Sequence, residues 1–207
     1  LICASNANRV LTDFFDTGVY DIRRPFLLTT SPSMDILISS NLERLLFLAS
    51  GGDAELVSRC MKELAETGRY EFPAELMETL RADFSAGWCS EEQAAETIGR
   101  IWKEHRYLCD PHTAVAFSVA DAFPGENPMV VLSTASPYKF PAAVLNALGH
   151  DAGDDDFAAM DTLHALTAVP VPKNLAALRE KPVLHRDVIE REQLLDYVRS
   201  KMKGETT

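Results

Sequence analysis

The apolar run Met129-Val130-Val131-Leu132 opens the most ordered pattern in the chain. Such a run predicts a strand buried on both faces. Three hydroxyl residues, Ser133, Thr134 and Ser136, come directly after it, followed by Pro137 and Lys139. Beyond Pro141, an apolar pattern predicts a helix over 142–149. Strand, polar turn and helix make half of a βαβ unit, and open α/β sheets hold ligands just beyond the carboxyl ends of their strands. The three hydroxyls therefore stand either at a ligand or as caps of the next helix.

The same order of elements occurs at the start. Residues 1–5 are strand-like, and Val10, Leu11, Phe14 and Phe15 share one face of a helix that Gly18 closes. Asn6 and Asn8 occupy the topological place of Ser133 and Thr134, and read equally as helix N-caps. Residues 26–30 form a short strand candidate leading into the polar turn Ser31-Pro32-Ser33-Met34-Asp35. A helical pattern over 40–48 follows and ends at Gly51-Gly52. Asp35, beside Met34, Ile36, Leu37 and Ile38, is either a cap for backbone amides or a functional carboxylate.

From Asp53 to Arg106 the pattern is helical throughout. Leu56, Val57, Cys60, Met61 and Leu64 mark one helix, stopped at Gly68. Leu76, Met77 and Leu80 mark a second, after Pro73. Ala94, Ile98, Ile101 and Trp102 mark a third, whose Ser90 and Gln93 are spaced as a capping box. Asp110 and Pro111 then suit the start of a small-residue helix over 114–120, with His112 in its first turn as hydrogen-bonding partner or catalytic base. Further helices are expected near 157–166, over 175–179 and from 187 to about 202, the last with an apolar stripe of Val188, Ile189, Leu194, Leu195 and Val198. The tail 204–207 is expected to be mobile. No internal repeat stands out.

Taken together, these elements predict an α/β chain, rich in helix, with a partial open parallel sheet flanked by helices and a helical insertion at about 53–107. Composition narrows its chemistry. The 207 residues carry a net charge of −11, which argues against nucleic acid as a partner. No apolar run approaches the ~20 residues of a membrane helix. Cys3, Cys60, Cys89 and Cys109 have no metal-binding or disulfide spacing, so reduced thiols in a cytoplasmic protein are expected, without a metal. The strand-like first residues predict a piece of a longer protein. No G-x-S-x-G elbow, Walker loop or G-x-G-x-x-G is present.

Four segments, in order, carry a resemblance. They are Ala4-Ser5-Asn6-Ala7-Asn8, Ser31-Pro32-Ser33-Met34-Asp35-Ile36-Leu37, Asp110-Pro111-His112-Thr113-Ala114-Val115-Ala116 and Ser133-Thr134-Ala135-Ser136-Pro137-Tyr138-Lys139-Phe140. With Val171-Pro172, Leu175, Leu178 and Lys181-Pro182 they resemble threonine synthase over essentially all of the chain. The resemblance implies a pyridoxal 5'-phosphate enzyme of the tryptophan-synthase-β-like fold, a lyase of threonine biosynthesis that converts O-phosphohomoserine and water to threonine and phosphate. It implies that residues 1–207 are the carboxyl-terminal part of the large cofactor-binding domain.

The family's Schiff-base lysine lies in a Ser-Phe-Lys-Asp motif, and its cofactor phosphate lies in a glycine- and asparagine-rich loop. Neither occurs here, so this chain alone is expected to be inactive, with no catalytic residue of its own. The family places a hydroxyl opposite the cofactor's pyridine nitrogen. The matching residue is Thr134, with Ser133 as fallback because strand alternation turns the two to opposite faces. The family's His-Pro-Ala-Lys-Phe is here Ser136-Pro137-Tyr138-Lys139-Phe140, and Lys139 reads either as a point charge for the substrate phosphate or as a surface lysine at a helix start. Two other readings remain: a non-catalytic binding or scaffold protein of this fold, and another pyridoxal-phosphate lyase. Exposed strand edges also leave self-association open.

Overall fold

Strand β1 (Ile2–Ser5) passes through Asn6 and Asn8 into helix α1 (Val10–Thr17), in the computed structural model, which describes residues 1–125, 127–184 and 186–203. Helix α1 buries Val10, Thr12, Phe14 and Phe15. It ends on Gly18 at φ +78°, a left-handed turn that glycine takes without a Cβ penalty. Strand β2 (Val19–Asp21) leaves that turn. Residues 26–30, expected as a strand, have no ladder partner among the described residues. The Asn8 side chain takes the place of one: its Nδ2 donates to the Leu27 carbonyl (2.8 Å) and its Oδ1 accepts the Leu27 N–H (3.0 Å).

Helices α2 (Ser40–Ala49) and α3 (Ala54–Thr67) follow, and α3 ends on Gly68, again at φ +78°. Strand β3 (Arg69–Glu71) then pairs antiparallel with β2, Tyr20 facing Tyr70, their rings stacked 5.3 Å apart. The two helix–glycine–strand units echo each other in sequence, Thr17-Gly18-Val19-Tyr20-Asp21 against Thr67-Gly68-Arg69-Tyr70-Glu71. In both, the threonine hydroxyl bonds to the carbonyl four residues back (2.6 and 2.9 Å). This five-residue echo is the repeat that hydrophobic periodicity conceals.

Helix α4 (Ala74–Asp83) leads into strand β4 (Ser85–Trp88), which pairs parallel with β1 from Ile2 opposite Ser85 to Ser5 opposite Trp88. The expectation that 53–106 is helical throughout is thus corrected at β3 and β4. The insertion does more than cover the sheet, since it supplies β1 with its partner strand. Ser85-Ala86-Gly87-Trp88 contains no β-branched residue, so local propensity hides it.

Helix α5 (Glu91–His105) starts with the Ser90–Gln93 capping box, and α6 (Pro111–Ala120) with Asp110 as N-cap, as expected. Helix α6 packs closely on β4: a Cβ built on Gly87 would lie 2.8 Å from Val119 Cγ1. Residues 129–132, predicted as a buried strand, belong to no sheet among the described residues, and Met129, Val130 and Leu132 are exposed. They stand across a cleft of about 550 Å³ from Leu1, Ile2 and Ala4, floored by Ala116 and Ala120. An apolar run specifies a strand only where a second backbone reaches it to complete the ladder.

Helices α7 (Pro141–Ala147), α8 (Asp156–Thr167) and α9 (Lys173–Ala176) follow, the last continued by a 3₁₀ turn over Ala177–Glu180. Helix α10 (Leu194–Met202) is shorter than its pattern predicts. A Glu190–Gln193 capping box starts the turn there, and Val188, Leu194, Leu195 and Val198 are exposed rather than buried. The expectation for 204–207 lies outside the described residues.

Two large cores and one small one hold the described elements. One joins α1, β2, β3, α2, α3 and α4 around Phe14, Tyr20, Leu46 and Tyr70. The other joins α5, α6, α7 and α8 around Ile98, Ala114, Leu145 and Leu163. The small one, Cys89, Ala94 and Val115, packs against Ala4 of β1 and against Met34. No described helix is long and apolar enough to cross a membrane.

Candidate functional site

At the end of β1 the chain becomes polar while still buried: Asn6 is 1% exposed and Asn8 4%. Buried amides must find partners. The Asn6 Nδ2 donates to Asp35 Oδ1 (2.8 Å), Ser31 Oγ (2.9 Å) and Thr29 Oγ1 (2.9 Å) in a shared geometry. Asn8 Nδ2 also donates to Asp35 Oδ1 (2.9 Å). The Thr29 hydroxyl donates to the same oxygen (2.7 Å), and its N–H donates to Asp35 Oδ2 (2.9 Å). Asp35 is therefore the hub of a closed bracket, of the two sequence readings the capping one. Neither asparagine caps α1, whose N-cap is Arg9 without a side-chain bond. Asn6 Oδ1 instead accepts the Asn8 N–H (3.0 Å) and holds the turn tight.

The first turn of α6 adds a second cluster. Asp110 is fully buried and accepts the His112 N–H (2.9 Å) and the Thr113 hydroxyl. His112 Nε2 accepts the Ser33 N–H (3.1 Å), so its proton sits on Nδ1, which faces Asp110 Oδ1 at 2.8 Å. With both ring nitrogens engaged and 7% exposure, His112 braces the Ser31–Asp35 turn against α6. Burial pushes the Asp110 carboxyl up, but hydrogen bonds from His112 and Thr113 outweigh it and hold the group below its ordinary value. Burial and the neighbouring Asp110 push the Cys109 thiol up to about 12, which keeps it protonated and unreactive.

The hydroxyl segment completes the arrangement. The His112 ring packs on Phe140, centroids 4.9 Å apart. Ser133 Oγ lies 3.4 Å from Thr113 Oγ1 and accepts the Tyr107 hydroxyl at 3.0 Å. Ser136 accepts the Tyr138 N–H (3.3 Å), so for this residue the capping alternative holds. Thr134 is exposed, and no side-chain hydrogen bond to it occurs among the described residues. Lys139 is exposed and rests its ammonium over the Phe140 ring, 5.8 Å from the centroid.

Four segments spread over more than 130 residues of sequence thus meet beyond the carboxyl ends of the two parallel strands. Three participants escaped the sequence. Thr29 sat unremarked in an apolar run, and nothing local distinguishes Tyr107. Thr12 was likewise unseen; its hydroxyl donates to the Gly87 carbonyl (2.9 Å) and lies 3.0 Å from Ser5 Oγ, tying the strand ends together.

Comparison with known proteins gives this geometry a family context. The sequence family described as "Threonine synthase, C-terminal" matches residues 113–198. A "Threonine synthase-like 1" of Macaca fascicularis is 46% identical over 71% of this chain and 20% of its own length. The "Threonine synthase" of Saccharomyces cerevisiae is 36% identical over 72% of this chain and 32% of its own. Among solved structures, the pyridoxal-phosphate-bound threonine synthase from Brucella melitensis superimposes with a TM-score of 0.80 at 37% identity, covering 96% of this chain and 39% of that one. The chain thus spans about a fifth of the length of the first curated relative named here.

Proposed function

Because the chain belongs to the threonine synthase family, we propose that its strand-end cluster forms one wall of a pyridoxal-phosphate site for threonine synthesis. The reaction would convert O-phosphohomoserine and water to threonine and phosphate. In this reading residues 1–207 are the carboxyl-terminal part of the cofactor-binding domain, and the Schiff-base lysine and phosphate-binding loop lie outside them. The observation that carries the reading is the meeting of the four segments at one place, with Thr134 exposed and bonded to no other side chain among the described residues.

The residues present fit the ring-nitrogen end of the cofactor. The other hydroxyl residues of its segment, Ser133 and Ser136, are neutral, and the carboxylates of Asp35 and Asp110 are turned inward to partners. Bound pyridoxal phosphate supplies an electron sink for carbanion chemistry on an amino acid. Thr134 would donate its proton to the lone pair of the ring nitrogen. A neutral hydroxyl cannot keep that nitrogen protonated as an aspartate would, so the ring is held as a weaker sink. Ser133, already between Tyr107 and Thr113, is the second candidate for cofactor contact.

In the full-length protein, Thr134→Val should loosen pyridoxal phosphate about 10-fold, the scale of one hydrogen bond, while Ser136→Ala leaves it nearly unchanged. Equal or reversed losses would sink the assignment. The isolated 207-residue chain should form no threonine, and turnover by it would overturn the division of residues described here. The "-like" names of the 44–46% identical relatives favour one second reading, a binding or scaffold protein that kept the fold. Assay of the full-length protein with O-phosphohomoserine, against serine and threonine, separates these readings and the third one, a lyase with another substrate. The same proposal places the protein in the cytoplasm. It also leaves the second edge of β1, unpaired among the described residues, open to self-association.

A further inference from the structure

We propose that the cleft between β1 and the 129–132 run is a slot for one β-strand, supplied by the part of the full-length protein that residues 1–207 do not span. The proposal rests on the reading above that the chain is part of a longer cofactor-binding domain. The backbone of β1 gives the first argument. The Ser85 N–H donates to the Leu1 carbonyl (2.8 Å) and the Cys89 N–H to the Ser5 carbonyl (3.0 Å), so the odd-numbered residues of β1 face β4. Along a strand the N–H and C=O groups of successive residues point to opposite sides, and those of Ile2 and Ala4 therefore point away from β4. Ile2 and Ala4 are the residues that line the cleft, together with Leu1.

The opposite bank has the same need. Residues 129–132 make no backbone–backbone hydrogen bond among the described residues, although Met129-Val130-Val131-Leu132 has the composition of a strand. Both banks also run the same way. His112, in the first turn of α6, holds the turn to which Asn6 bonds at the end of β1. Ser133, at the end of the run, lies 3.4 Å from Thr113 of that same helical turn. Ala116 and Ala120 of α6 form the floor beneath. The four residues of β1, ~13 Å of strand, match the ten residues of α6, ~15 Å of helix. Common direction, free backbone groups on two facing banks and a helical floor describe a parallel sheet with room for one more strand.

The occupant must offer two free edges and an apolar body. Leu1, Met129, Val130 and Leu132 are exposed, so its side chains are apolar, and over a floor of alanines they are large. In a second copy, β1 and β4 are already paired with each other and each has at most one edge to give, as do β2 and β3. The solved relative from Brucella melitensis points to the source: 96% of this chain matches it yet covers 39% of it, so most of that protein lies outside the match. Because both banks end at the candidate site, the turn after the inserted strand emerges between Asn6 and Ser133, and the site is incomplete without it.

The test uses the full-length protein. Hydrogen exchange read by mass spectrometry should show the amides of Ile2, Ala4 and residues 130–132 slowed about 100-fold or more relative to an unstructured chain. Exchange of 130–132 at the unstructured rate overturns the proposal. Val130 is 80% exposed in the cleft, so the photo-cross-linker in Val130→p-benzoylphenylalanine reaches whatever fills it. In a mixture of isotopically light and heavy protein, it should capture a peptide outside residues 1–207 from its own molecule. Capture confined to residues 1–207, or from a second molecule, overturns the slot. The Thr134→Val titration is read separately. Parent-like cofactor binding by that variant with the slot filled from outside ends the Thr134 assignment alone. Binding about 10-fold weaker, with a second copy captured in the slot, ends the present inference alone.

Discussion

Two polar regions meet at the carboxyl end of the parallel strands, and they differ in how their hydrogen bonds close. Around Asp35, each carboxylate oxygen is occupied and the surrounding amides and hydroxyls of Asn6, Asn8 and Thr29 point inward. At the Ser133–Thr134 turn both residues are exposed, and Thr134 bonds to no other side chain among the described residues. The two regions are built from the same kinds of polar residue. The first holds chain segments together, and the second presents atoms outward. Satisfaction of hydrogen bonds, more than polarity, separates the bracket from the outward-facing turn.

The contrast is broken most forcefully at its hub. Asp35→Ala would leave two asparagine amides and the Thr29 N–H and hydroxyl short of an acceptor, and should cost about 3 kcal/mol of stability. Urea unfolding checks this, and a loss below about 1 kcal/mol would show the bracket to be ornamental.

Acid should weaken the α6 cluster next. The folded pKa of Asp110 is depressed, so its contribution is fully present above the ordinary carboxyl pKa of about 3.9 and is lost as pH falls through the lower folded value. Stability measured from pH 6 downward should therefore fall less steeply in Asp110→Asn than in the parent, and parallel acid limbs would refute the linkage.

A buried hydroxyl without a partner sharpens the comparison from the opposite side. The Tyr70 hydroxyl lies in the aromatic core with no hydrogen bond among the described residues, and burial pushes its pKa well above the ordinary tyrosine value. Tyr70→Phe should raise stability by about 1 kcal/mol, read as a higher unfolding midpoint. A loss of that size would mean the hydroxyl has a partner in solution.

The smallest stability effect is expected at the outward-facing turn. Thr134→Val should change unfolding by no more than about 0.5 kcal/mol, since Thr134 is exposed and bonds to no other side chain among the described residues. A change near that of Asp35→Ala would erase the distinction between the two regions.

Much of this architecture is readable along the chain. The stops at Gly18 and Gly68, the Ser90–Gln93 capping box and the Asp110–Pro111 start of α6 all involve residues within a few positions of one another. Local interactions of that range are encoded in the residues themselves. The four segments that resemble threonine synthase were legible for the same reason, as short patterns of chemically constrained residues. Strand β4 was not, because Ser85-Ala86-Gly87-Trp88 becomes a strand through its ladder with β1 and the close approach of Val119 to Gly87. The 129–132 run illustrates the reverse, a strong strand pattern whose backbone meets no partner among the described residues.

By itself, then, the sequence determined the stops of α1 and α3, the starts of α5 and α6, which residues are polar at the strand ends, and the family to which those motifs point. Only the tertiary structure decided that Asp35 and His112 are braces, that Ser136 is a cap, and that Thr134 is the hydroxyl left facing outward. A side chain's proton is assigned by the acceptor nearest to it. For these residues that acceptor comes from parts of the chain as far apart as Ser33 and His112, or Tyr107 and Ser133, which folding alone brings within 3.1 Å.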